Sequence, residues 1–327
     1  MKEYCYGLRQ KTGRAPVIRK LGACLYGSME QTPVVFRGMR MMVESRVNEK
    51  DGHPYICVRN LETGELSGSF GHDYYFASAF AEGDKLYVFA TSRRDDGDLT
   101  MYQSEDSSTW HDPRGGHTVR MFESSDLAAW REQDVIRCDD KRLWNTSVCH
   151  GDGKYVMAIE VSAEPGFESK AIGQPFTCFF AQSQDLHNWT MMPDSCAYSP
   201  ARYTACPALR YSEGWYYMVC LEALPCLRYA PYIYRTRDFD TYEVGFHNPI
   251  MMWSDEDRNV CPGHHFSDKE LELLRTGLNI NCSDLDFYEY EGKTVIYYSN
   301  GDQMSYSFLC KAEYDGPMSE FLKAFFQ

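Results

Sequence analysis

Carboxylates stand where strand-like apolar runs begin or end. Glu160 closes Tyr155-Val-Met-Ala-Ile159 and Glu222 closes Tyr216-Tyr-Met-Val-Cys-Leu221, while Asp284-Leu-Asp286 opens another run. A carboxyl group beside a nonpolar wall keeps its proton, and acids that share a pocket repel and drive their titrations apart. One side chain can then serve as general acid while its neighbour stays ionised as base. On this reading Glu160 is the acid and Asp284 the base, with Glu222 tuning or substituting. Glu222 sits one residue later in its run than Glu160, an offset that turns it to the other sheet face unless a bulge restores it. Asp284 and Asp286 have period-two spacing and point to one face, where Asp286 is expected to bind substrate, holding a sugar hydroxyl or a cation beside the base.

Other polar residues occupy equivalent places. Glu30, His72-Asp73 and Trp144-Asn145 precede apolar runs, and Glu44, Arg46, Arg93, Asp302 and Gln303 follow them. These are expected to bind substrate: a Trp face stacks on a sugar ring, and Asn and His bond hydroxyls. Either Asp of the Asp284 pair, or Trp144, could instead tie neighbouring sheets together. His264-His265 lacks a third ligand at sensible spacing, so no metal centre is read there. A structural Ca²⁺ at the molecular axis is left open, since Asp and Asn oxygens can hold one but no dedicated loop is present. No organic cofactor is expected. Glycine-rich phosphate loops and a Gly-x-Ser-x-Gly elbow are both missing.

The elements that must position these groups repeat. Apolar runs break at a short turn and resume in Ala81-Glu-Gly-Asp-Lys-Leu-Tyr-Val-Phe89, Gly151-Asp-Gly-Lys-Tyr-Val-Met-Ala158, Tyr211-Ser-Glu-Gly-Trp-Tyr-Tyr-Met218 and Tyr290-Glu-Gly-Lys-Thr-Val-Ile-Tyr297, with a weaker copy at Phe36-Arg-Gly-Met-Arg-Met-Met-Val43. Each reads as a hairpin. A second turn follows in Ser124-Ser-Asp-Leu-Ala-Ala-Trp130, Ser183-Gln-Asp-Leu-His-Asn-Trp189 and Thr236-Arg-Asp-Phe-Asp-Thr-Tyr242, where the Asp can accept backbone N–H bonds. Two hairpins per repeat make a four-stranded antiparallel blade. The expected fold is all-β, a five-bladed β-propeller in one domain over residues 1–327, with blades near 28–70, 71–137, 142–194, 201–247 and 279–327. One short helix is expected in a loop insertion, where Ser267-Asp-Lys-Glu270 forms a capping box ahead of Leu271, Leu273 and Leu274.

In such blades the short turns lie on one face and the long connections, near 92–117, 161–174 and 248–281, lie on the other. Binding residues concentrate on long loops over a rigid scaffold, so the site belongs on that second face. The formal charge of −14 would repel phosphate backbones and anionic lipid, so neither nucleic acid nor membrane is an expected partner. Thirteen cysteines without a Cys-x-x-Cys pair, and no apolar leader, point to a reducing cytoplasm and thiols that mostly pack as small hydrophobes. The oligomeric state is not legible.

With these turns and funnel acids in hand, the chain resembles the five-bladed β-propeller glycosidases of glycoside hydrolase families 43, 32 and 117. The likeness runs from about residue 28 to 327 and is strongest at Trp144-Asn-Thr-Ser-Val148 through Glu160, Phe180-Ala-Gln-Ser-Gln-Asp-Leu-His-Asn-Trp189, and Asn281-Cys-Ser-Asp-Leu-Asp286 through Gln303. The resemblance implies one carboxylate as base or nucleophile, one tuning pKa and one as acid. The chain departs from the pattern at Glu30-Gln-Thr-Pro33, at Asn145 in place of Asp, and at Thr204-Ala-Cys-Pro-Ala208, which carries no carboxylate. The expectation is a glycosidase acting on a small oligosaccharide. Two alternatives stand beside it: phosphorolysis using Arg46, Arg93 and Arg94, and a noncatalytic carbohydrate-binding or interaction propeller.

Overall fold

A computed structural model describes residues 15–27, 29–48, 50–93, 102–103, 110–111, 115–163, 176–225, 228–302 and 305–327. Its strands follow in order as β1 (Ile18–Tyr26), β2 (Thr32–Phe36), β3 (Met39–Val47), β4 (Pro54–Asn60), β5 (Tyr74–Glu82), β6 (Lys85–Ser92), the short pair β7 (Tyr102–Gln103) and β8 (Trp110–His111), β9 (Thr118–Ser124) and β10 (Arg131–Arg137). Next come β11 (Lys141–Gly151), β12 (Lys154–Ala163), β13 (Thr177–Ser183), β14 (Trp189–Met191), β15 (Ala205–Ser212), β16 (Trp215–Leu224), β17 (Arg228–Thr236) and β18 (Tyr242–Val244). Helix α1 (Asp268–Thr276), β19 (Ser283–Tyr290), β20 (Lys293–Gly301), β21 (Ser307–Tyr314) and helix α2 (Met318–Ala324) complete the chain.

These strands form five antiparallel blades: β2-β3-β4, β5-β6-β9-β10, β11-β12-β13-β14, β15-β16-β17-β18, and β19-β20-β21-β1. The innermost strands touch in a closed cycle, β2 to β5, β5 to β11, β11 to β15, β15 to β19 and β19 back to β2. The architecture is therefore a five-bladed β-propeller. Between each pair of neighbouring blades lies an apolar core. Phe89, Met157 and Phe179 fill the one between blades two and three, and Tyr216, Phe180 and Phe239 fill the next.

The repeated turns behave as their sequences require. Arg37-Gly38, Asp152-Gly153, Glu213-Gly214 and Glu291-Gly292 all have positive φ at both residues, the primed geometry that matches strand twist. In the second hairpins Asp126 accepts from the N–H groups of Ala128 and Ala129, Asp185 from His187 and Asn188, and Asp238 from Asp240 and Thr241. Those backbone donors hold all three carboxyls below the usual range.

Three features depart from expectation. Blade one has three strands, because residues beyond β4 contribute only the isolated bridges Ile56–Phe70 and Arg59–Leu66. The fourth strand of blade five comes from the other end of the chain: β1 pairs with β21, joining the N-terminal region to the last blade. A second helix, α2, also exists, and Phe321, Leu322, Phe325 and Phe326 bury its apolar side in the core between blades four and five. Among the described residues no helix is long and apolar enough to cross a membrane, and eleven cysteines are free thiols.

Candidate active site

The innermost strands share one irregularity. Register shifts fall between Tyr75 and Ser78, Leu143 and Thr146, Ala205 and Ala208, and Ser283 and Asp286, so four inner strands carry one extra residue at the same height. In three of them the extra residue is left-handed: Phe76 (φ 53°), Cys206 (φ 46°) and Asp284 (φ 52°). Glu30 (φ 55°) takes the matching place two residues before the first paired residue of β2. Such backbone costs about 1–3 kcal/mol per residue and clusters where side chains must be re-aimed. Five equivalent positions, Glu30, Phe76, Trp144, Cys206 and Asp284, thus ring the axis.

The ring is two-sided. Phe76 and Trp144 belong to an aromatic cluster with Tyr75 and Phe176, whereas Glu30, Cys206 and Asp284 bring two carboxylate oxygens and a sulfur within 4.8 Å of one another. The polar half opens on a small pocket lined also by Gln31, Thr32, Asn145 and Asp286. Asn145 is its junction, with Nδ2 at 3.3 Å from Glu30 Oε1, 3.0 Å from Glu160 Oε2 and 3.5 Å from Cys206 Sγ. The Cys206 N–H also donates to Glu160 Oε2, at 2.8 Å.

Burial dominates the electrostatics. It pushes Glu160 up from 4.5 to about 7, against the opposing Cys206 N–H and Asn145 amide, with Asp284 adding repulsion. Asp284 is also raised by burial, opposed by the Cys206 thiol and by Ser283 Oγ, which donates to Oδ2 at 2.5 Å. Asn281 Nδ2 in turn donates to Ser283 Oγ at 2.8 Å. Burial lifts the Cys206 thiol well above its ordinary range, so it is a neutral S–H donor. Burial thus raises both Glu160 and Asp284, which lie beside the less buried Glu30.

The other residues expected in the funnel are distributed as follows. Asp286 lines the pocket, yet its Oδ1 is taken by Arg210 and by the Phe287 N–H, so it ties blade five to blade four. Glu222 is bound by Arg202 through both Nε and Nη2. Its offset from Glu160 differs from the one read in the sequence: the residue facing the bulge is Glu160 in blade three but Cys220 in blade four, which puts Glu222 two positions further along the same face. Glu44 is fully buried between Arg46 and Arg59. Trp144 is packed against Phe76, Phe176 and Arg142, with Nε1 bonded to Ser162 Oγ at 2.8 Å, and presents no free face for a sugar.

His72 is exposed near Tyr55, while Asp73 pairs with His53 at 2.6 Å and Arg93 packs beside that pair. Asp302 caps the following turn through the Ser305 and Tyr306 N–H groups. Gln303 and Arg94 lie outside the described residues. Cys206 is the site residue that the sequence reading passed over; the signal was its place in Thr204-Ala-Cys-Pro-Ala208, the segment matching the starts of the other inner strands.

No protein-family model matches the sequence, and no curated protein does. Solved structures do. The GH43 BlXynB protein from Bacillus licheniformis superposes with a TM-score of 0.55 at 14% identity over 90% of this chain, which spans 54% of that one. The catalytic domain of the Coprinopsis cinerea GH62 α-L-arabinofuranosidase gives 0.57 at 8% identity, covering 92% of this chain and 97% of its own. Xylan β-1,4-xylosidase from Bacillus halodurans C-125 gives 0.52 at 10% identity, covering 90% and 54%. These likenesses establish that the chain has the five-bladed propeller fold of structures that include glycoside hydrolases.

Proposed function

We propose that the axial pocket hydrolyses a glycosidic bond in a small oligosaccharide. The observation that carries this is the meeting of Glu30 and Asp284, from blades one and five, at one pocket, with Glu160 of blade three held behind it by Asn145. Asp284 in its protonated form gives its proton to the leaving glycosidic oxygen, and the Glu30 carboxylate accepts a proton from the water that attacks the anomeric carbon. The products are the free sugar and the released alcohol, and the proton balance closes when Glu30 returns its proton to solvent and Asp284 regains one. Support for giving the acid's part to Asp284 over Glu160 comes from their surroundings. Asp284 lines the pocket, whereas Glu160 Oε2 is engaged one layer behind by Asn145 and the Cys206 N–H. Glu160 then fixes the orientation of Asn145 and of the Cys206 backbone.

Pentose glycosides, the class named for the structural neighbours, are the first substrates to try. Phosphorolysis is less well supported, since Arg46 is engaged by Glu44 and Arg93 by the His53–Asp73 pair. Aryl α-L-arabinofuranosides, β-D-xylosides and hexosides, each with and without inorganic phosphate, test the reading beside Asp284→Asn and Glu30→Gln. Hydrolysis independent of phosphate and lost in both variants is expected. Turnover that requires phosphate, survives both substitutions, or is absent with every glycoside would overturn it.

A further inference from the structure

The proposed hydrolysis leaves one group in the ring without a task. Cys206 brings a thiol to a pocket lined also by Glu30, Asn145 and Asp284, on a left-handed bulge residue that aims it at Glu30 and Asp284. Those three side chains come from blades four, one and five, held by ring closure, so their convergence is a property of the scaffold. We propose that Cys206, Glu30 and Asp284 bind a thiophilic divalent cation such as Zn²⁺, which then occupies the space in which a sugar would react.

The donor set decides the class of ion. One sulfur and two carboxylates suit Zn²⁺, Co²⁺ or Cd²⁺, with Zn–S near 2.3 Å and Zn–O about 2.0–2.2 Å. Ca²⁺ asks for roughly six to eight oxygens, which this group does not offer. A tetrahedral centre of those bond lengths has ligand edges of roughly 3.3–3.7 Å. Atoms that lie within 4.8 Å of one another therefore need to close by at most about 1.5 Å around the ion.

Two further observations support a ligand at this place. Ser283 Oγ holds Asp284 Oδ2, and Asn281 holds Ser283, the kind of outer support that fixes a ligating carboxylate. In addition, Gln31 lines the same pocket and is 4% exposed, yet its Oε1 is buried without a hydrogen-bond partner while Nε2 donates to the Met29 carbonyl. A buried acceptor of this kind is costly alone and is satisfied by a cation or by the water a cation carries.

Binding breaks the Cys206 S–H bond and forms a metal–sulfur bond, and the proton passes to solvent; Asp284, where protonated, releases a second. The binding claim is independent of the hydrolytic reading, and only the accompanying loss of turnover rests on it. The test is titration of the full-length, metal-stripped protein with Co²⁺, followed by near-ultraviolet thiolate-to-cobalt charge transfer, and with Zn²⁺ by calorimetry. One equivalent of each is expected to bind, with the cobalt band absent in Cys206→Ser and Zn²⁺ affinity weakened about tenfold or more in Cys206→Ser and Asp284→Asn. Mg²⁺ and Ca²⁺ at equal concentration should leave the signals unchanged. Should Cys206→Ser fail to fold, Asp284→Asn and Glu30→Gln carry the same affinity readout. Absence of stoichiometric binding, a cobalt band that persists in Cys206→Ser, or unweakened Zn²⁺ binding in the carboxylate variants would overturn the proposal.

Discussion

Replacing Glu160 by Gln should change how stability depends on pH more than it changes stability at any one acidic pH. The folded protein holds Glu160 near 7, against an ordinary 4.5, because its carboxyl is buried. The native state therefore keeps a proton that the unfolded chain has already lost between these values, and stability falls as pH rises through that window. Below about 4.5 both states are protonated and the penalty vanishes; above about 7 both are ionised and it is complete. The lift corresponds to roughly 3 kcal/mol. Gln preserves the acceptor that Asn145 and the Cys206 N–H use, so Glu160→Gln removes the ionisation and little else. Asp286 and Glu222, raised in the same direction, titrate in both proteins and cancel to first order, whereas Asp284, which repels Glu160, ionises more easily in the variant and adds to the difference. Thermal melts at half-unit steps from pH 4 to 8 are the assay. The variant should match the native protein at the acid end and exceed it by up to about 4–5 °C in Tm at the alkaline end, given the entropy of unfolding for a chain this long. Parallel curves across the window would refute the buried, protonated Glu160.

Other outcomes follow from named contacts. Lys20→Met removes the ammonium 2.7 Å from the fully buried Asp257 and leaves that charge to its neutral donors Tyr298, Ser254 and Asn279, so it should cost about 3–5 kcal/mol in chemical denaturation and loosen the closing strand β1. Arg202→Ala should cost about 1–3 kcal/mol by leaving buried Glu222 without its partner, while Glu222→Gln should leave any glycosidase activity within a few-fold, since Glu222 lies outside the axial pocket. Gly22→Ala should destabilise the same closing strand, because φ is +100° and an added Cβ would meet the Asn259 carbonyl; a melt unchanged from the native protein would contradict that packing.

The blades were legible because their signal is local. A turn such as Glu213-Gly214 declares its geometry through the residues that tolerate positive φ, and the Asp of Ser183-Gln-Asp185 declares a capped turn. Ring closure was not legible, since β1 pairs with a strand more than 280 residues away and nothing in Ile18–Tyr26 names that partner. Helix α2 was passed over although Pro317 and the spacing of Phe321, Leu322 and Phe325 carry a helical signal. At the site, the sequence marked Glu160 and Asp284 through their apolar neighbours. What it could not convey is the bulge that aims Glu30, Cys206 and Asp284 at one point. Those residues have no type in common, and their direction depends on a backbone state that only pairing across the sheet reveals. Polar residues such as Glu44 and Glu222 look alike in sequence and separate only when their arginines are seen.

A crystal soaked with a hydrolysis-resistant thioglycoside of the best substrate tests the shared pocket most directly. The expected result is a sugar ring at the axis, its bridging sulfur within hydrogen-bond reach of Asp284 and its anomeric carbon facing Glu30 across a site for water. Sugar bound on the outer blades, or Glu30 and Asp284 turned away from each other around it, would contradict the account.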